Sequence, residues 1–486
     1  MDVLWDIIRD VVWDLPTMSQ RHAEEDALFV LHGHTRGITK YDLYPPCKRC
    51  TNPRYAFECI PFEIWYEIFQ YVIPPSTFLD SSLSCGPRSP WSLALRTKKT
   101  LVSVCKTWYN VGIHLLYRQI VLRRFPQIYF LLQSLDLNSD LGPMIKDITV
   151  SCFVLCDDSP LVKSELNRLL NYCPLVSHFT FAIELQSQSE LYSPSDFLAA
   201  ATHMLSNVTH LEFGPKVFFS DVVPHLTHCK SLISLTFDMH GQTSNDMATE
   251  AVDLPTLEAL RISWQSDRLE EIAVLGVITS WSMPRLYRFT IHQMGFFRGT
   301  AERYYFPFLK KYGPALSTLC VAVWFPDVIP MTYFVQSLLE FCPNLEHLAI
   351  SSFVLIEKLS HKTLKWIDIW ASTPERHLMK AQDFPMLRGV RTLDWALLTT
   401  AGPALHLHVP PNMVEGGESR EWVFPGVHVR HDPGHLYRRD LDYLPGYISA
   451  VEPISDWESG DEYDTSDSSS YTDYSFPDTE DSLFRQ

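Results

Sequence analysis

From residue 145 to residue 393 one pattern recurs: an apolar residue, two spacers, an apolar residue, one spacer, an apolar residue. MIKDITV carries it at Ile145, Ile148 and Val150, and LVSHFTF at Val176, Phe179 and Phe181. It begins again at Val208, Leu232, Leu257, Leu286, Leu316 and Leu345, with weaker copies at Leu364 and Leu387. The ten starts are 19 to 32 residues apart, with a mean step of about 27. That step falls in the range of repeats that contribute one short strand per unit. A unit this small cannot bury its apolar side alone, so its neighbours must stack on it. Several copies follow an apolar helical stretch that ends in Cys-Pro, as in LNRLLNYCPLV and VQSLLEFCPNLEHL. A helix that stops at the proline, followed by a strand with alternate residues inward, accounts for this text.

The expected fold class is therefore α/β: an irregular leucine-rich-like α/β solenoid over residues 123–400. Most copies lack the asparagine of regular leucine-rich units, and a closed α/β domain is the alternative. Residues 1–58 hold one short amphipathic stretch, with Trp5, Ile8, Val12 and Trp13 near helical spacing. Residues 59–122 read as a small helical domain. In IPFEIWYEIFQYV, Pro61 suits a first helical turn, Glu63 and Glu67 favour the positive end of the helix dipole, and Ile64, Ile68, Phe69 and Val72 fall on one face. A Pro/Ser-rich insert at 74–99 reads as loop. One apolar-periodic segment then carries Leu101, Val104, Cys105, Trp108 and Val111, and turns strand-like at Ile120 and Leu122. Residues 401–451 read as a cap of loops. The 452–486 tail, poor in apolar residues and rich in charge, is expected to be disordered.

The net charge is −17, which argues against a nucleic-acid or anionic-membrane binder. Most of that charge is local. Residues 452–486 hold eleven acids and one base, while 86–124 hold eight bases and no acid. The basic run reads first as a solvated positive face, and second as a surface for an acidic partner or for the tail itself. Eleven cysteines do not suggest a disulfide framework. The N-terminus lacks the basic region of a secretory signal, and no apolar run approaches a membrane span. The expectation is a protein of the cytoplasm or nucleus.

IPFEIWYEIFQYV together with LVSVCKTWYNVGIHLLYRQIVL resembles the F-box, and the text is similar to the F-box-like families of mushroom-forming fungi. The pattern is carried by Ile60, Pro61, Glu63, Ile64, Ile68, Phe69, Val104, Cys105, Lys106, Trp108, Leu116 and Tyr117. The proline-rich insert is longer than a standard F-box contains. The resemblance implies a substrate-receptor subunit of a cullin–RING ubiquitin ligase. Its helices would bind a Skp-type adaptor, joined to the cullin scaffold, and its repeats would hold a protein substrate. The expected adaptor-binding residues are Ile60, Pro61, Ile64, Trp65, Ile68, Phe69, Val104, Cys105, Trp108, Leu116 and Tyr117. Trp65, Phe69 and Trp108 are of the size that anchors interfaces, unless they build only a local core. The alternatives are an F-box-like scaffold outside any ligase and an unrecognised hydrolase.

Other motifs are weaker. His32, His34, Cys47 and Cys50 offer four zinc-ligand types, but H-x-H is a poor local chelate, and a polar loop is the reading adopted. The histidines at 428, 431 and 435 have no carboxylate pair or H-E-x-x-H motif with them and read as loop, and Cys152 and Cys156 read as small core residues. No phosphate-binding glycine loop, nucleophile elbow or kinase signature is present, so neither catalysis nor a cofactor is expected. In the tail, Ser455 with Glu458 and Ser459 with Glu462 suit an acid-directed kinase.

Overall fold

The computed structural model describes residues 60–74, 79, 89–154, 159–185, 198, 202–214, 217–238, 251–264, 269–293, 302–323, 331–371, 382–394, 397, 420–424, 427–432 and 435–439. The chain divides into Met1–Leu441 and Asp442–Gln486, and every described residue belongs to the first unit. The 1–58 segment, its four candidate zinc ligands, Cys156 and the acidic tail lie outside the described residues.

Three helices come first: α1 (Phe62–Val72), α2 (Pro90–Val104) and α3 (Lys106–Arg118). Strands and helices then alternate: β1 (Gln119–Arg124), α4 (Phe125–Leu137), β2 (Asp147–Val154), α5 (Ser159–Tyr172), β3 (His178–Phe181), the two-residue β4 (Glu184–Leu185), α6 (Thr202–Leu205), β5 (His210–Phe213), α7 (Phe219–Leu226) and β6 (Ser234–Asp238). They continue with β7 (Ala259–Trp264), α8 (Leu269–Ser280), β8 (Arg288–Gln293), α9 (Glu302–Tyr312), β9 (Thr318–Val323), α10 (Met331–Glu340), β10 (His347–Ser351), β11 (Trp366–Ala371) and β12 (Gly389–Asp394). Apart from β4, which pairs beside β2, β1 to β12 form one parallel sheet of eleven strands in chain order. The described part of the chain is thus α/β.

Nine of the ten sequence repeats, all but the one starting at Leu364, enter their strands in the same way. The amide of the first apolar residue donates to the carbonyl three residues back, as Val176 does to Cys173, Leu257 to Leu254, Leu316 to Gly313 and Leu345 to Cys342, at 3.0–3.3 Å. A proline follows the acceptor in each of these four, at the turn position where its fixed φ is favoured. The next carbonyl then accepts two amides from the following unit. Lys146 O takes Ser177 and His178, Ser177 O takes Thr209 and His210, and so on through Lys365 O, which takes Arg388 and Gly389, all at 2.7–3.3 Å. Side-chain hydroxyls also cross between units at the strand entry. Thr209 Oγ1 donates to Ser177 O (3.0 Å), and Thr363 Oγ1 to Leu345 O (2.8 Å). Asn207 and Asn344 reach the preceding unit's Pro174 and Pro314 carbonyls. At Gly142 and Gly313 a Cβ would collide with the carbonyl of the next unit's turn, at Tyr172 and Phe341, so stacking requires glycine there.

The first nine pattern starts, Ile145 to Leu364, are fully buried, and Leu387 is half-buried. Together with the inward strand rows and the helices they form one continuous core from Ile113 to Phe384. Two local expectations are corrected. Residues 90–99, read as loop, are the first turns of α2, because Ser89 caps it by accepting from Ser92 N (3.2 Å) and Pro90 occupies the first turn. The VRHDPGHLYRRD text, also read as loop, lies in an antiparallel meander of β13 (Arg420–Phe424), β14 (Val427–Asp432) and β15 (His435–Arg439), with β15 parallel to β12. His428, His431 and His435 are therefore strand residues. Among the described residues, no helix is long and apolar enough to cross a membrane.

The sheet's outer face, away from the helices, changes along its length. On β9 to β12 it is buried, including Thr318, Cys320, Asp368, Trp370 and Arg391. There Asp368 accepts Arg391 Nε (2.9 Å) and Nη2 (2.7 Å), and pairs with His347 Nε2 (2.9 Å). Burial alone would raise the Asp368 carboxyl, but Arg391 and then His347 hold it well below the usual carboxylate range. Asp368→Ala takes the carboxylate away from the buried Arg391 charge, and should cost about 3–5 kcal/mol in denaturant unfolding at neutral pH. Because the folded pKa is depressed, the stabilisation is complete above the unfolded value near ~4. The deficit of the variant should narrow as pH falls below that.

Candidate functional site

α1 has two different apolar faces. Pro61 precedes it and its carbonyl accepts Ile64 N and Trp65 N at 3.2 Å. One face carries Trp65 and Phe69, four residues apart, with ring centroids 5.8 Å from each other. Trp108 of α3 packs on both, at 5.5 and 4.9 Å. Ile73, Ala94, Leu101, Val111 and Leu115 complete this small core, which is separate from that of the sheet. The other face carries Ile64 (42% exposed), Ile68 (41%) and Tyr71 (82%), while Phe62, also exposed, stacks on Tyr66 and meets His114 edge-on. The sequence reading put Phe69 with Ile64 and Ile68. The structure divides them, and Phe69 is 1% exposed.

The segment read as one helix through Leu101 to Val111 is two. Cys105 is fully extended (φ −162°, ψ 170°) between α2 and α3 and breaks the hydrogen-bond series there. The break lets α3 fold back on α2 closely enough that a Cβ at Gly112 would meet the Val102 side chain at 2.8 Å. Val104 and Cys105 are exposed at this junction.

Of the eleven expected binding residues, Pro61, Ile64, Ile68, Val104 and Cys105 are exposed. Trp65 and Phe69 are inside the helical unit, while Ile60 and Trp108 are half-buried against its core. Tyr117 is buried in the sheet's core, and Leu116 packs on that core. Tyr71 was missed, although it lies seven residues beyond Ile64 on the same helical stripe.

The basic run is not a uniformly solvated face. Arg118 Nη1 donates to Tyr66 Oη (2.8 Å), tying α3 to α1, and Arg123 lies 4.9 Å over the Trp91 ring. Lys99 is buried, and that burial, reinforced by Arg96, pushes its ammonium down to about 7. Burial lowers Lys98 to about 8 against the attraction of Asp147, whose own carboxyl burial raises to about 6.

Compared with known proteins, the chain matches no family model, and no curated protein matches it. What the unit can bind is set by its own side chains. Its exposed groups are an apolar stripe, the Val104–Cys105 corner and a few charges, which suit contact with a protein surface. Burial pushes the thiols of Cys152, Cys173, Cys229, Cys320 and Cys342 up to about 12, so they are protonated at neutral pH. No three His, Cys, Asp or Glu side chains converge for a metal among the described residues.

Two variants separate the faces of α1. Phe69→Ala opens the small core and should cost about 3–5 kcal/mol by denaturant unfolding. Ile64→Ala should stay within about 0.5 kcal/mol of the parent. The pH dependence is equally specific. Because the folded Lys99 pKa lies below the unfolded value, the unfolded state binds more protons between pH 7 and about 10, and stability rises through that window. Lys99→Met should flatten the rise, read from unfolding midpoints across the range.

Proposed function

We propose that the chain is the substrate-receptor subunit of a cullin–RING ubiquitin ligase. In this reading α1 to α3 are an F-box that binds a Skp-type adaptor, and the sheet and its helices are a leucine-rich-like solenoid that holds a protein substrate. The observation that carries the reading is the apolar stripe of Ile64, Ile68 and Tyr71, exposed on a helix whose opposite face already fills a core. A helix needs only one apolar face to pack within its own chain, and the second supports contact with a partner. Pro61, Val104 and Cys105 are further exposed residues of the same helical unit. Trp65, Phe69 and Trp108 act indirectly, by holding α1 in place. The one-strand-per-repeat order of the sheet supports the solenoid. The chain itself supplies no chemistry in this scheme, and works in the cytoplasm or nucleus.

Co-purification tests the proposal. The tagged full-length chain should recover adaptor and cullin together. Ile64→Glu combined with Ile68→Glu should lose both while its unfolding midpoint stays close to the parent's, because neither residue is in the core. Adaptor recovered without cullin would instead favour a scaffold outside the ligase. Retention of the adaptor by the double variant would overturn the assignment of α1.

A further inference from the structure

The outer face of the sheet between its N-terminal strands and the buried β9–β12 region carries two arginines on adjacent strands. Arg261 of β7 is the register partner of Thr290 on β8, and Arg288 of β8 is the partner of Ala259 on β7. The two are thus diagonal neighbours on one face, about 8 Å apart at their Cα atoms from strand spacing and rise. Both side chains are half-buried, and the Nε of each is buried without a hydrogen-bond partner. Among the described residues neither makes an ion pair. Arg288 Nη2 reaches Tyr287 Oη only at 3.5 Å, and Tyr287 Oη itself donates to Glu258 at 3.1 Å.

The same face carries hydroxyls and one carboxylate, Asp238, the register partner of Ser263. Thr236 of β6, Ser263 of β7 and Thr290 of β8 flank Arg261 by register, and each is a short side chain bearing a hydroxyl. Ser263 and Thr290 are themselves buried, at 6% and 5% exposed, and the three hydroxyls offer further donors beside the guanidinium. The positive charge is felt nearby: His292, two residues from Thr290, is pushed down to about 3, first by burial and then by Arg261. A guanidinium with an unused Nε on a partly desolvated face is costly until an anion meets it.

We propose that Arg261 and Arg288 form a binding site for an oxyanion, a phosphate or a carboxylate carried by a protein segment laid across β7 and β8. The protein nature of that segment rests on the substrate-receptor reading above; the anion chemistry does not. Planar guanidinium forks match both groups in a two-point geometry that a lysine ammonium does not reproduce.

The test uses the full-length chain and three fluorescein-labelled peptides of one Gly/Ala sequence, with a central phosphoserine, glutamate or serine, followed by fluorescence anisotropy. The phosphoserine peptide, or it and the glutamate peptide, should bind, with the serine peptide at least about tenfold weaker. Binding of the phosphoserine peptide alone identifies phosphate as the source, and binding of both admits carboxylate. Arg261→Ala and Arg288→Ala should each weaken binding about tenfold or more, with Arg261→Lys only partly restoring it, and added salt should weaken it further. Equal affinity for all three peptides, no binding of any, or affinity unchanged in both alanine variants would overturn the site. Adaptor recovery by the same variants is scored separately. Its retention shows that they are folded, and its absence from the parent as well would count against the receptor reading without touching the anion result.

Discussion

Between each repeat and the next, a single carbonyl oxygen receives two amide hydrogens from the following unit. This bifurcated contact is the joint on which the sheet depends. It sits immediately after the buried first residue of each pattern, so it fixes where each strand starts relative to its neighbour. Once the start is fixed, a period of two sends the second and third apolar residues inward together. An unpaired amide at that depth would cost more than the bond itself contributes, so slipping by one residue is disfavoured both by backbone pairing and by side-chain burial.

That joint also explains what was legible in the sequence. The apolar pattern predicted which residues enter the core, and from Ile145 to Leu364 its first positions are buried. The proline after the turn acceptor was visible at Cys173 and Cys342 as the end of a helix, although its larger role is to shape the entry to the strand. Elsewhere composition misled. Ser and Pro weighted residues 74–99 towards loop, yet Ser89 followed by Pro90 is a helix start, and it opens α2. In VRHDPGHLYRRD, proline and glycine drew the whole run towards loop, though strands flank them.

The candidate site shows a different limit. Periodicity identified α1 as amphipathic, but a helix carrying Trp65 and Phe69 on one side and Ile64, Ile68 and Tyr71 on the other has more apolar area than a single face needs. Sequence spacing alone could not tell which side would meet Trp108, because that depends on α3 folding back at Cys105. The large aromatics went inward and the aliphatic stripe stayed outside. The outer face of the sheet was less legible still. Its residues alternate with the core rows, but nothing in their spacing distinguishes the sealed Asp368–Arg391 region from the polar strands before it.

The joint counts one residue per unit and ignores everything between. Successive pattern starts are 19 to 32 residues apart, yet the double acceptance is the same at each described step from Lys146 to Lys365. Segments that return the chain from one strand to the next can therefore gain or lose residues without shifting a strand. For such a gene, insertions in the returns alter the rim and leave the outer rows aligned, whereas a single-codon deletion between the first apolar residue and the strand would disturb the pairing of that unit with its two neighbours.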